Sequence, residues 1–87
     1  MNDEQWTAYL NDIMDRQIKT AMNRNVIFSV SLSNTQVRVC VEPLGQKCYQ
    51  FFLYRKASEE TAKKVLQKID EYLANMKEWE GFKKPRI

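Results

Sequence analysis

The chain has 87 residues, a formal net charge of +3 and 44% hydrophobic residues, enough for one core but not for two separate domains. No segment approaches the roughly 18 consecutive apolar residues of a membrane span, and the first residues are acidic and polar. These features exclude a transmembrane class, and we expect a soluble, cytoplasmic protein with no membrane partner.

The residue types needed for common catalytic sites are scarce. The chain has two cysteines and no histidine, so it can form neither a four-ligand zinc site nor a Cys-His catalytic pair. Its two glycines, Gly45 and Gly81, cannot build a glycine-rich phosphate loop. We expect no enzyme activity, no cofactor, no metal and no small-molecule substrate. In a reducing compartment, Cys40 and Cys48 should remain reduced as small, half-buried side chains.

The first predicted element is an amphipathic helix over residues 2–24. Asn2 or Asp3 can cap it, and the acids of its first turn suit the helix dipole. Its apolar residues recur at spacings of three and four, which predicts a single stripe against a core. That stripe consists of Trp6, Tyr9, Leu10, Ile13, Met14, Ile18, Ala21 and Met22.

After residue 25 the apolar period changes to two, which predicts two half-buried strands over residues 26–33 and 36–42. Asn34 and Thr35 can form a two-residue turn between them, because asparagine tolerates positive φ better than most residues. This register places Leu32 opposite Val37 and keeps both apolar sets on one face of the hairpin.

A second hairpin follows, with its third strand ending near residue 55. A three-residue loop of Pro43, Leu44 and Gly45 fits a type I turn with glycine in the left-handed position. This loop predicts four cross-strand pairs: Glu42 with Gln46, Cys40 with Cys48, Val39 with Tyr49, and Val37 with Phe51. A loop one residue longer or shorter would turn Gln50 into the core.

A second amphipathic helix is predicted from Ser58 to about Glu80, where Gly81 provides a stop. Its apolar stripe is Ala62, Val65, Leu66, Ile69, Tyr72, Leu73 and Met76. We therefore expect a single α+β domain over residues 1–81, followed by a basic C-terminal tail over residues 82–87. The order is α-β-β-β-α, with a three-stranded antiparallel meander and two long helices packed mainly on one sheet face.

The other face of the sheet, left uncovered by the helices, is the predicted binding surface. It collects aromatic, basic and small polar side chains, whereas the face toward the helices collects the valines. Three interpretations remain open: the tail or one helix covers this face, a protein binds it, or a nucleic acid stacks on its aromatics. The candidate partner-binding residues are Ile27, Arg38, Gln50, Phe52, Tyr54, Arg55, Lys56 and Trp79.

We expect a small non-catalytic protein-interaction module, such as an inhibitor, adaptor or accessory subunit, and a virus- or mobile-element-encoded inhibitor is compatible with this size. Binding should use the outer sheet face, the edge strand 47–55 and Trp79 with the basic tail. Self-association is also possible, because edge strands invite pairing. The alternative is a nucleic-acid-binding module using the same aromatics and segment 16–56, which carries seven basic residues and one acidic residue.

Overall fold

A computed structural model describes residues 1–23, 25–43 and 45–75 of the chain. Two helices and three strands follow in the order α-β-β-β-α, which confirms the predicted α+β fold. They are α1 (Asp3–Thr20), β1 (Val26–Leu32), β2 (Gln36–Pro43), β3 (Tyr49–Tyr54) and α2 (Glu59–Asn75). The predicted end of the second helix near Gly81 and the tail 82–87 lie outside the described residues, so the boundary at residue 81 stays a prediction.

Helix α1 begins at a capping box, as the polar residues at its start predict. The Asn2 side chain accepts a hydrogen bond from the Gln5 amide at 2.8 Å, and the Gln5 side chain accepts one from the Asn2 amide at 3.1 Å. Two of the otherwise unpaired amides at the helix start are satisfied in this way. The helix ends at Thr20, whose hydroxyl donates to the Arg16 carbonyl at 2.6 Å.

The predicted apolar stripe of α1 is only partly buried. Trp6, Tyr9 and Ile13 enter the core, but a second set is exposed to solvent: Met14, Ile18 and Met22. Each fourth residue advances by about 40° around an α-helix, so this set rotates progressively away from the sheet. The prediction of a single buried stripe was therefore wrong for the second half of α1.

The β1–β2 hairpin has the predicted register, with Leu32 opposite Val37 and Val30 opposite Val39. Its turn does not use positive φ, since no described residue other than glycine has it. Instead, the Ser33 hydroxyl accepts hydrogen bonds from the backbone amides of Thr35 and Gln36, at 3.3 and 3.2 Å. The position of the β1–β2 turn was predicted correctly, but the predicted use of positive φ by asparagine was wrong.

The β2–β3 hairpin differs from the predicted register by two residues. Val37 lies opposite Leu53 and Val39 opposite Phe51. Five residues separate Pro43, the last residue of β2, from Tyr49, the first residue of β3, instead of the three predicted. The Pro43 carbonyl accepts a hydrogen bond from the Gln46 amide at 3.0 Å. Gly45 supplies the positive φ of 78° inside this turn, as expected for glycine. A shift of two residues preserves the face of every side chain, so the apolar face was still predicted correctly.

This register also corrects the prediction for the cysteines. Cys40 lies opposite Gln50, and Cys48 stands in the loop before β3, two residues from its predicted place. The structure joins the two residues in a disulfide, with their Cα atoms 6.1 Å apart. That separation is within the usual range for disulfides. The prediction of two reduced cysteines is wrong for this structure.

Both helices pack on the same face of the sheet, α1 over β1 and α2 over β3. The core between these layers contains Ile13, Val39, Phe51, Ile69 and Leu73, all buried. Arg16 joins the two helices, since its guanidinium donates two hydrogen bonds of 2.7 Å to the Asp70 carboxylate. Within the described ranges, neither helix is long and apolar enough to cross a membrane.

Candidate binding face

The outer face is the side of the sheet opposite the two helices. Along β3, exposed and buried side chains alternate, so that Phe51 and Leu53 are buried while Phe52 and Tyr54 are 47% and 53% exposed. Neither described helix lies over these two aromatics, because both helices pack on the opposite face. The interpretation in which a helix covers them is therefore wrong, and the one in which the tail covers them concerns residues outside the described part.

Four of the candidate residues form a contiguous patch, which we call the aromatic patch: Arg38, Gln50, Phe52 and Tyr54. Arg38 on β2 lies directly opposite Phe52 on β3, with the side chains of both exposed on the outer face. Gln50 and Tyr54 are the same-face neighbours of Phe52 along β3, about 7 Å away on either side. The part of the chain that the structure describes gives Arg38 no ion-pair partner, so its charge is available to a ligand.

Ile27 does not join the aromatic patch. It is 48% exposed on β1 and lies opposite Glu42, near the other end of the sheet. Strand geometry places it roughly 17 Å from Phe52, four residues along and two strands across. The rest of the β1 outer face is Ser29 and Ser31, so this side of the face is polar.

Arg55 and Lys56 follow directly after β3 and have different surroundings. The Arg55 guanidinium pairs with the Asp3 carboxylate, which ties the end of β3 to the start of α1. Lys56 is exposed and lines an open groove of about 510 Å³ beside Tyr54. Lys56 can therefore extend the aromatic patch, whereas Arg55 is already engaged. Trp79 lies outside the described residues.

The free edge of β3 is identified by the direction of its backbone hydrogen bonds. The strand order β1-β2-β3 makes β3 an edge strand, as predicted. The Arg55 amide donates to the Thr35 carbonyl at 2.9 Å, so residues 55, 53, 51 and 49 direct their backbone groups toward β2. By the same alternation, Gln50 and Phe52 direct theirs outward, where no described residue pairs with them.

A groove beside this edge was missed by the sequence reasoning. It is an open groove of about 470 Å³ between β3 and α2, and we call it the edge groove. Its lining includes Tyr49, Phe51, Val65, Lys68 and Tyr72. The Tyr49 and Tyr72 rings stack with their centroids 4.7 Å apart, and the Tyr49 side chain is nevertheless 51% exposed. The sequence had placed Tyr49 in the core, since its alternation in β3 matches that of Phe51.

The lysines near β3 differ from those elsewhere in their ion pairing. Lys19, Lys63 and Lys64 pair with acids four residues earlier on their own helices. By contrast, three lysines around β3 have no ion pair with any described residue: Lys47 before the strand, Lys56 after it and Lys68 in the edge groove. With Glu71 also lining the edge groove, the three lysines leave the described surroundings of β3 with a net positive charge.

Two residues of α1, Tyr9 and Arg16, have shifted pKa values. Burial raises the pKa of the Tyr9 hydroxyl to about 12, partly opposed by the nearby Arg16 charge. The hydrogen bond to Asp70 raises the pKa of Arg16. Among the described residues, no group of three or more histidine, cysteine or acidic side chains could hold a metal ion. What the outer face offers is aromatic surface, cationic charge and backbone hydrogen-bonding groups.

Comparison of the chain with protein-family models, with curated proteins and with solved structures finds no match.

Proposed function

We propose that this protein is a small non-catalytic module that binds another protein through the aromatic patch, acting as an inhibitor, adaptor or accessory subunit. The observation that supports it is the exposure of Phe52 and Tyr54 beside the unpaired Arg38, on a face that the described helices leave open. Aromatic and arginine side chains dominate the energetically important centres of protein interfaces.

The patch is large enough to contribute useful affinity. A whole aromatic side chain buries about 200 Å², so covering the exposed half of each ring removes about 100 Å² from water. At about 25 cal/mol per Å², this is roughly 2.5 kcal/mol of hydrophobic free energy for each of Phe52 and Tyr54, which sets an upper bound of about sixtyfold in affinity per ring.

The patch is also held in position before binding. Phe52 and Tyr54 lie on a strand whose alternate residues, Phe51 and Leu53, are buried in the core. Cys40, next to Arg38 on the same face of β2, is joined by a disulfide to the loop before β3. A preformed surface loses little conformational entropy on binding, so more of the contact energy appears as affinity.

Self-association is the second form of protein binding that the patch allows. The same aromatic surface could be covered by a second copy, and this is tested by the molecular mass in sedimentation equilibrium across a concentration series. A mass that rises toward that of a dimer in the wild type, and not in a Phe52→Ala/Tyr54→Ala variant, would identify the partner as the protein itself.

Nucleic-acid binding is the alternative function. Arg38 opposite Phe52 favours it, since a base could stack on the ring while the guanidinium meets phosphate. It stands second because Arg55 is already paired with Asp3. In addition, α2 begins with Glu59 and Glu60, whose charge would repel phosphate at a helix start.

The cytoplasmic location expected from the sequence stays a proposal. The Cys40–Cys48 disulfide weighs against it, because such bonds are rare in reducing compartments. Counting free thiols in protein isolated under acid quenching from the cells that make it tests this directly. Two free thiols would support the cytoplasmic location, and none would contradict it.

The proposed function is tested by parallel selections from a random dodecapeptide library and from random single-stranded and duplex DNA and RNA pools. Each selected ligand is then titrated by calorimetry against the wild type and two variants. Phe52→Ala/Tyr54→Ala removes the aromatic patch, and Ile18→Ala/Met22→Ala is the matched control, since these side chains are exposed on α1 instead.

Peptides that bind the wild type, lose at least about thirtyfold in affinity with the patch variant and keep it with the control would support the proposal. Ligands drawn only from the nucleic-acid pools, with affinity falling steeply as salt rises, would replace it by the alternative. Peptides that depend on Ile18 and Met22 instead would show that the binding face had been assigned wrongly.

A further inference from the structure

The open edge of β3 and the edge groove beside it point to a particular kind of ligand. We propose that an acidic, extended segment of a partner protein binds there as a fourth strand of the sheet, with alternate side chains entering the edge groove. This inference rests on the proposed protein-binding function and names the chemistry of the partner.

The backbone of β3 provides the first argument. Gln50 and Phe52 direct both their amides and their carbonyls away from β2, and no described residue pairs with these groups. An added strand would satisfy them with the same hydrogen-bond pattern that joins β2 to β3. The opposite edge is different, because the Gln17 side chain of α1 donates to the outward carbonyl of Phe28 at 3.2 Å.

The edge groove provides the second argument. Side chains of an added strand would alternate between the outer face, beside Phe52, and the edge groove under α2. On the groove side they would meet the half-exposed Tyr49, stacked on Tyr72, together with Val65. These surfaces favour apolar or β-branched side chains at every second position of the ligand.

The lysines around β3 provide the third argument, which concerns the charge of the bound strand. Lys47 precedes β3, Lys56 follows it and Lys68 lines the edge groove together with residues 49–52, all without a described ion-pair partner. One acid, Glu71, also lines the groove, where it accepts a hydrogen bond from Gln67 at 3.2 Å. The net positive charge along the edge therefore favours a strand carrying carboxylates.

The same charges disfavour a second copy of this chain as the ligand. In an antiparallel pairing of two β3 edges about a two-fold axis, Lys47 of one copy would approach Lys56 of the other. The two Lys68 side chains would also approach each other beside the axis. Opposed like charges destabilise strand pairs, and lysines at an edge guard against self-pairing. An acidic strand from a different protein turns each of these repulsions into an attraction.

The probe for this inference is an acetylated and amidated octapeptide of alternating valine and glutamate, and its counterpart carries lysine in place of glutamate. Each is titrated into isotope-labelled protein while amide shifts and hydrogen exchange are followed by NMR. In the free protein, the Gln50 and Phe52 amides should exchange rapidly, whereas Phe51 and Leu53 should be protected. The glutamate peptide should protect Gln50 and Phe52, and the lysine peptide should bind about tenfold more weakly.

Two pairs of variants isolate the backbone and charge contributions. Gln50→Pro removes an outward amide without breaking the ladder to β2, and Gln50→Ala keeps that amide as the control. We expect about tenfold weaker peptide binding for the proline variant and less than about threefold for alanine. Lys68→Glu should reverse the preference between the two peptides, whereas Lys63→Glu, on a lysine paired with Glu59, should not.

The outcomes separate this inference from the proposed function. If the glutamate peptide leaves the Gln50 and Phe52 amides unchanged while selected peptides still require Phe52 and Tyr54, the acidic-strand inference fails and protein binding by the aromatic patch stands. If neither the probe nor any selected peptide binds, both fail. If a dimer forms in which these two amides become protected, a second copy occupies the edge and the inference is overturned.

Discussion

The buried hydroxyl of Tyr9 leads to a prediction that a substitution in the core will stabilise the protein. Tyr9 is 4% exposed, and its hydroxyl has no hydrogen-bond partner within the described part of the chain. An unpaired buried polar group costs about 1–3 kcal/mol, and Tyr9→Phe removes only that group while keeping the ring stacked on Trp6. We therefore expect Tyr9→Phe to raise the free energy of unfolding by about 1 kcal/mol near pH 8.

The same burial predicts how stability changes at alkaline pH. The pKa of Tyr9 is raised from 10.0 to about 12, so above pH 10 the unfolded state releases the hydroxyl proton while the folded state retains it. The unfolded state then binds fewer protons, and stability falls as pH rises from 10 to about 12. The loss amounts to about 1.4 kcal/mol by pH 11 and roughly 3 kcal/mol once both states are ionised. Tyr9→Phe removes this loss.

Urea unfolding followed by fluorescence at pH 8, 10 and 11 measures both effects. Tyr54→Phe is the matched control, because its hydroxyl is on the exposed outer face and its removal should change neither quantity by more than about 0.5 kcal/mol. If Tyr9→Phe lowers stability at pH 8, the hydroxyl has a favourable partner and the reasoning is wrong. Equal alkaline losses in the wild type and Tyr9→Phe would refute the assignment of the pH dependence to this residue.

Three further predictions concern the contacts that hold the fold together. Asp70→Asn should destabilise the protein by about 1 kcal/mol, because it removes the charge that Arg16 binds with two hydrogen bonds. The loss stays this small because the Asp70 side chain is partly exposed to water, and a double-mutant cycle with Arg16→Met measures the coupling. Replacing Cys40 and Cys48 by serine should lower the free energy of unfolding by about 2.5 kcal/mol, and a reducing agent should lower wild-type stability similarly in urea titrations without affecting the variant. Gly45→Ala should cost about 1 kcal/mol, since its φ of 78° is unfavourable for alanine, and thermal unfolding that is unchanged would contradict this turn geometry.

The order and type of the elements could be predicted because the apolar period changes sharply along the chain. Period two over Val26–Leu32 and Gln36–Pro43 fixes which of their side chains face the helices, and keeping Gln50 out of the core correctly placed Phe52 and Tyr54 of β3 on the outer face. Alternation carries no information about shifts of two residues, however, since such shifts leave every face unchanged. The register of β3 was therefore missed. The disulfide between Cys40 and Cys48 was missed for a different reason, because a reducing compartment had been assumed.

The apolar spacing also failed to predict which side chains near the ends of helices and strands are exposed. Ile18 and Tyr49 both match the apolar spacing of their elements, yet each is more than half exposed. Whether such a residue is buried depends on how far the neighbouring layer extends, and spacing alone does not report this. The edge groove arises in the same way, because it requires Tyr49 to lie at the margin of the sheet against Tyr72 on α2.

The measurement that tests the central claim most directly is the affinity of one selected peptide for the wild type, for Phe52→Ala/Tyr54→Ala and for Ile18→Ala/Met22→Ala, by calorimetry at two salt concentrations. Protein recognition by the aromatic patch predicts a loss of at least about thirtyfold in the first variant, little change in the second and a salt dependence much shallower than that of nucleic-acid binding. Equal affinities for all three proteins would contradict it, as would binding only to nucleic acid that weakens steeply with salt.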